Sequence, residues 1–436
     1  MKSPWQEIVK GDFYVYISMI GDYKKIVSNY NKLANLGGIN MNYKNRLRKN
    51  IRKNYLFVLL NNFSFTNGIW MIYLASKGLT LTELGLIEGV FHLTSFLMEI
   101  PTGAIADIWG RKVSRICGRM VSLVSSIIML FSNTFLGFTM AFIISAVSYN
   151  LESGAGDALI YDSLKEIDED KKYMKIFGFS ELIMQVASTG GLIIGGYLSK
   201  YNYKYAYIAA IIVGLINFIH CFSFTEPKIE MKTEHKSLKT IKEQVVKSYT
   251  IIVSNKVIGF LLIFSQAIFM FNTSIFFYFQ NYLLANGMTQ DKIGIILALS
   301  SLGSAIVGAN GYRIERKIGQ VGIIAVVPIL IAACIWGAAL SKYYYIFFIA
   351  VSSMESLIYV VVGDYINKLI PSEKRATILS MGSMIFSAYM IIIFPLIGKI
   401  GDMYTLQTSF EVVAFIATVM SIVSFFIFSR SNKKYI

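Results

Sequence analysis

From residue 55 to the C-terminus, long apolar stretches alternate with short polar clusters. The stretches cover 55–76, 82–106, 113–133, 135–156, 173–199, 203–224, 255–285, 290–312, 319–341, 343–369, 376–400 and 404–429. Each reaches or exceeds the roughly 20 residues a helix needs to cross about 30 Å of hydrocarbon. Strands of a membrane barrel would read as alternating segments of about ten residues. Inside a bilayer no water satisfies the backbone, so runs of this length must fold as helices. The pattern predicts an all-α membrane protein with twelve transmembrane helices.

The longest polar interruption, about Thr225 to Ser248, is rich in Lys and Glu and falls near the middle of the apolar part. It divides the chain into two expected six-helix bundles, 51–224 and 254–430, joined by a cytoplasmic linker over 225–253. A short amphipathic surface helix is expected around Leu238 to Val246. Residues 431–436 form a tail. Residues 1–50 are assigned to a cytoplasmic N-terminal extension, whose apolar run Phe13 to Ile20 is too short to span. They lack the basic start and cleavage site of a secretory signal. For residues 1–40 two readings stay open: a true extension, or translation that begins at Met41.

Composition agrees with this pattern. The 436 residues are 55% hydrophobic and 15% charged, against about 25% charged in a soluble domain. A net charge of +15 would suit nucleic acid, but the cations sit at helix ends and form no single patch, so no nucleic-acid partner is expected. Counting each loop with its flanking helix ends, 30 Lys and Arg fall in the segment 41–54, the loops after even-numbered helices and the tail. Only 6 fall in the odd-numbered loops. Cytoplasmic loops carry the excess of basic residues, so both termini are expected in the cytoplasm and the protein in the cell membrane. Cys117, Cys221 and Cys334 are far apart, which fits small apolar residues and no metal site. No phosphate-binding glycine loop and no nucleophile with its base appears. The chain is expected to be neither an enzyme nor cofactor-dependent, and to work as a monomer.

One motif is more specific. At the end of the second stretch stands Glu99-Ile-Pro101-Thr-Gly103-Ala-Ile-Ala-Asp107-Ile-Trp-Gly110-Arg111-Lys112. Small Gly103 would allow close helix approach, Gly110 permits a sharp turn, and Asp107, Arg111 and Lys112 place charges at the membrane edge. This Gly-x-x-x-Asp-x-x-Gly-Arg-Lys run resembles the signature loop of the major facilitator superfamily. A degraded copy, Gly308 to Arg316, repeats the spacing Gly103 to Arg111 at a shift of 205 positions, with Tyr312 in place of the aspartate. The longer Glu-x-Pro-x5-Asp-x3-Arg-Lys form is similar to bacterial drug and metabolite exporters. The resemblance implies the major facilitator fold, in which Asp107 would meet the start of helix 11 near Ala376 and Thr377 and gate the cytoplasmic side. It also implies a central cavity lined by helices 1, 4, 7 and 10. Gly190-Gly191 and Gly195-Gly196 stand where many exporters carry a glycine-proline motif, but the proline is missing, which weakens the antiporter reading.

Ionisable groups within a span cost several kcal/mol and are functional candidates by default. Glu88, His92 and Glu99 share helix 2. The carboxylates lie within about 20° of one face, and His92 is one turn from Glu88. These three are the expected proton-coupling residues. Asn67, Trp70, Glu152, Asn272, Gln280 and Glu355, with the aromatic run Phe276 to Phe279, are expected to line a cavity for a medium-sized, partly apolar small molecule. For Asp157, Asp162 and Asp364 the competing reading is pairing with Lys165, Lys368 or loop arginines at helix ends. The expected activity is secondary transport by alternating access, with proton-coupled efflux of a drug or amphipathic metabolite favoured. Uptake of a nutrient is the alternative within transport, and a non-transporting receptor or assembly partner is the alternative of another class.

Overall fold

A computed structural model describes residues 37–228, 255–370 and 375–429. The expected linker helix at 238–246, most of the linker, the tail and residues 1–36 lie outside the described residues. Helices follow one another with short connections: α1 Gly37–Asn62, α2 Trp70–Ser76, α3 Leu81–Trp109, α4 Arg111–Phe131, α5 Phe135–Glu152, α6 Ala155–Glu166, α7 Tyr173–Tyr201 and α8 Tyr203–Cys221. After the linker come α9 Lys256–Ala285, α10 Gln290–Ala309, α11 Gly311–Val321, α12 Val327–Leu340, α13 Tyr344–Leu369, α14 Arg375–Met403 and α15 Leu406–Ser429. Polar residues start several of them. Thr80 forms a capping box with Glu83, and the side chains of Thr134, Asn202 and Asn255 accept from free N–H groups of the turns they precede.

Among the described residues, 11 helical segments are long and apolar enough to cross a membrane. The expected stretch 55–76 is not one continuous helix, because the chain leaves helical geometry between Asn62 and Trp70. The tertiary structure explains the break. Ser64 and Phe65 run against the glycine face of α7, where a Cβ on Gly191 would lie 2.8 Å from the Ser64 nitrogen and one on Gly195 would collide with the Phe65 carbonyl oxygen. Gly68 is wedged between Leu192 and Leu297. The glycines of α7 thus receive an unwound segment of chain and not a second helix.

Other boundaries move for local reasons. The stretch 135–156 is divided at Gly154, whose φ of +76° is a left-handed conformation suited to glycine. Gly319, at φ +68°, separates the polar part of α11 from five π-helical residues, Gly322–Val326, that lead into α12. Helix α1 begins at Gly37, inside the segment assigned to the extension, and Leu47 and Asn50 on it are fully buried.

Helices α1–α8 contact one another, as do α9–α15. Contacts between these two sets concentrate in α3 on α14 and α7 on α10, with a smaller patch of α2 on α9. For the two ends of the helices we use "linker end", where α3 stops and residues 222–228 lead towards the linker, and "far end", where α3 starts and α14 stops.

Candidate transport site and gates

The two sets meet tightly at the far end because small residues let backbones touch. A Cβ on Gly85 of α3 would lie 2.6 Å from Pro395 Cα of α14, and one on Gly196 of α7 would lie 3.0 Å from Gly294 Cα of α10. Tyr278 of α9 donates to both the Leu81 and the Phe394 carbonyls. Gln280 donates to the Asn67 carbonyl at 3.1 Å. The Trp70 ring stands 5.3 Å from Phe277 and 5.1 Å from Phe142. Three of the expected cavity residues, Asn67, Trp70 and Gln280, therefore belong to the far-end closure in this conformation. Gln280 is fully buried.

Towards the linker end the described residues leave α3 uncovered. Gly103 lies 18 residues after Gly85 on α3, five turns of helix, and so on the same face. Yet a Cβ at Gly103 would meet nothing within 4 Å among the described residues. Glu88 is buried, whereas Glu99, close to the same face, is exposed and makes no ion pair with any described residue. Asp107 is exposed too, and its carboxylate takes Arg111 Nη1 at 2.8 Å. The side chains of Ala376 and Thr377 lie outside the described residues. The expected meeting of Asp107 with the start of helix 11 therefore falls on side chains outside the described residues.

The signature turn itself is held from an unexpected direction. Both oxygens of Glu226, just beyond α8, accept from the first free N–H groups of α4, those of Arg111 and Lys112, each at 2.7 Å. A helix N-terminus favours a carboxylate there. Burial pushes the Glu226 carboxyl above the ordinary range, opposed by those two N–H bonds and by the charges of Arg111 and Lys112. Gly110 has φ +101°, and a Cβ on it would come 2.8 Å from Glu226 Oε1. Arg111 also reaches Asp162 at 3.8 Å. Asn50 fixes the adjoining strap by exchanging hydrogen bonds with the Thr225 backbone.

Inside the helices three polar groups form. Glu88 and His92 approach to 3.5 Å, and the imidazole stands edge-on to Phe386 of α14. Asn272 of α9 donates to Glu355 of α13 at 3.3 Å and accepts from Ser352 at 3.0 Å, so two expected cavity residues are brought together. Glu152 instead pairs with Arg115 of α4 at 3.1 Å, which removes its carboxylate from an open cavity role in this conformation. Arg115 donates also to Asn54 and stacks 3.9 Å over the Phe57 ring, while Arg119 bonds Asn61. A Cβ on Gly156 would strike both partners of the Arg115–Glu152 pair. The Asn54 bond and the Phe57 ring support this buried pair, while Arg115 Nε and Glu152 Oε2 find no hydrogen-bond partner among the described residues. At the helix ends Asp364 pairs with Lys368 at 2.6 Å, as the competing reading expected.

A model of the Major Facilitator Superfamily matches residues 54–354. The chain belongs to that superfamily. It is a multi-pass membrane transporter and not an enzyme. It is similar to YxaM, an uncharacterized MFS-type transporter of Bacillus subtilis, at 25% identity over 79% of this chain and 87% of that one. It is 23% identical to the quinolone resistance protein NorA of Staphylococcus aureus over 38% of this chain and 41% of that one. A crystal structure of the nucleoside transporter NupG matches with a TM-score of 0.70 at 14% identity, covering 90% of this chain and all of that one, which is a likeness of fold.

Within that fold, the sequence reading missed Glu226, Arg115 and Arg119. The arginines carried a signal, since two cations four residues apart in an apolar helix are costly unless partnered. Glu226 carried none, because its partner is a turn 115 residues away in sequence.

Proposed function

We propose that this superfamily member is a proton-coupled exporter of amphipathic drugs or metabolites, working by alternating access between two six-helix halves with both termini in the cytoplasm. The observation that carries the alternating-access reading is the contrast between Gly85, packed on Pro395, and Gly103, on the same face with no described residue near it. An interface packed at one end and parted at the other is what rocking of two rigid halves produces. The exporter reading is supported by the Glu99-to-Lys112 motif and by the partial likeness to NorA. Glu88, His92 and Glu99 are the proposed proton carriers: the first two sit within reach of one another, and Glu99 is exposed where the interface parts. Asn272, Glu355 and the neighbouring aromatic rings are the proposed substrate contacts.

The test uses purified protein in proteoliposomes with an imposed pH gradient and a panel of fluorescent amphipathic compounds. Accumulation driven by the gradient is expected with the native chain. Glu99→Gln keeps the side chain's shape but cannot release a proton, so it should abolish gradient-driven accumulation and preserve downhill exchange. Unchanged driven transport in that variant would remove Glu99 as a carrier. Cysteines placed at Lys236 and Lys200 should react oppositely with an impermeant reagent on intact cells, and labelling of position 236 from outside would reverse the orientation.

A further inference from the structure

Helices α3 and α14 each carry an aspartate within three residues of their C-terminal end, Asp107 and Asp402. The helices run against each other, so the end of one lies beside the start of the other. At the far end this placement is used. Asp402 Oδ1 accepts from the Leu81 N–H at 2.9 Å, and its Oδ2 accepts from the Thr82 N–H at 2.7 Å and the Thr82 hydroxyl at 2.5 Å. Leu81 and Thr82 are the first two residues of α3, whose N–H groups have no partner within the helix. The carboxylate of one set of helices thus caps the positive end of a helix in the other. Backbone closeness makes the reach feasible, since a Cβ on Gly398 would collide with the Leu81 carbonyl and with Tyr278 Oη.

We infer that Asp402 is a far-end latch, a gating residue whose three hydrogen bonds to the start of α3 must break before the transporter opens on that side. This inference rests on the alternating-access reading. Asp402 is exposed and Thr82 half-buried, and the bond between them is open to solvent, so water competes for it and the latch is of modest strength. That suits a contact broken in every cycle. At the other far-end crossing, Lys200 near the end of α7 meets Asp291 in the first turn of α10 at 2.9 Å. That contact is a partly exposed side-chain ion pair and contributes less. Glu83 is the internal control: it belongs to the same helix start, but its bonds go to Thr80 within its own capping box and cross no interface.

The experiment reads the opening directly and without transport. Spin labels are placed at Asn133 and Lys342, in far-end connections of the two sets, on full-length protein in which Cys117, Cys221 and Cys334 are replaced by Ser. Double electron–electron resonance then reports the distance between them. Asp402→Ala and Asp402→Asn should raise the ratio of far-end-open to far-end-closed molecules, by roughly fivefold for Ala. Thr82→Val, which loses only the hydroxyl bond, should shift it less, and Glu83→Gln should leave it unchanged. Size-exclusion profile and thermal melting establish that each variant is folded. If Asp402→Ala misfolds, Thr82→Val and Asp402→Asn still decide the matter. Unchanged distance distributions in folded Asp402 variants, or an equal shift in Glu83→Gln, would overturn the latch. Shifted distances without any gradient-driven transport would leave the latch standing and remove the exporter reading.

Discussion

Gly110 is the residue on which the signature loop turns, and two independent constraints meet there. Its φ of +101° is strained for any residue with a side chain, and the space a methyl would need is held by the Glu226 carboxylate at 2.8 Å. Gly110→Ala is therefore expected to lower stability by about 1–3 kcal/mol and to release Glu226 from the start of α4. Thermal melting in detergent should show the loss. Combining it with Glu226→Ala should cost less than the two separate losses added, since both break the same contact. Additive losses would mean that the glycine serves the turn alone. The motif made Gly110 conspicuous in the sequence, but the sequence offered no reason to connect it with Glu226. A hydrogen bond between a carboxylate and a distant helix start leaves no periodic or compositional trace.

Among elements, the break between α1 and α2 is the feature that hydropathy hides. Residues 55–76 are apolar enough to read as one span, and hydropathy does not register whether the backbone is helical. What unwinds it is a neighbour: α7 presents Gly191 and Gly195, and the Ser64–Phe65 backbone fills the space where side chains would stand. The cost of substituting each glycine should follow the space around it. Gly195→Ala would place a methyl on the Phe65 carbonyl and should destabilise strongly or prevent folding. At Gly190 a Cβ would rest 3.4 Å from the Phe63 ring, a contact the ring can yield to, and Gly190→Ala should be nearly neutral. Expression level and melting temperature of the two variants check the order. Equal effects would mean that the unwound segment is not held by α7.

At the scale of the whole molecule, the functional question is which end is closed. The far end is held by Gly85 on Pro395, Gly196 on Gly294 and the bonds of Tyr278, while at the linker end of α3 no described residue comes within 4 Å of a Cβ on Gly103. A bulky residue at Gly103 should fit the present conformation, where no described residue lies within 4 Å of a Cβ there, and should obstruct any state in which α3 closes there. Gly103→Leu is accordingly expected to melt within a degree or two of the native protein while losing most of its transport. A large loss of stability, or undiminished turnover, would show that the linker end does not close around this position.

Local patterns in the sequence determined that the chain spans a membrane many times as helices, because bilayer thickness and the need to satisfy backbone groups act on any run of apolar residues. They also singled out the signature loop, whose glycine and charge spacing is contained within fourteen positions, and the Glu88–His92 contact, which one helical turn enforces. Only the tertiary structure decided the rest. It turned Glu152 to Arg115 and drew Trp70, Asn67 and Gln280 into the far-end closure. It joined Glu226 to the signature turn and set Asp402 on the first turn of α3, 320 residues away in sequence. These contacts unite groups whose positions along the chain are unrelated. Hydrophobic periodicity reports that a face is buried, but it is blind to the partner that buries it.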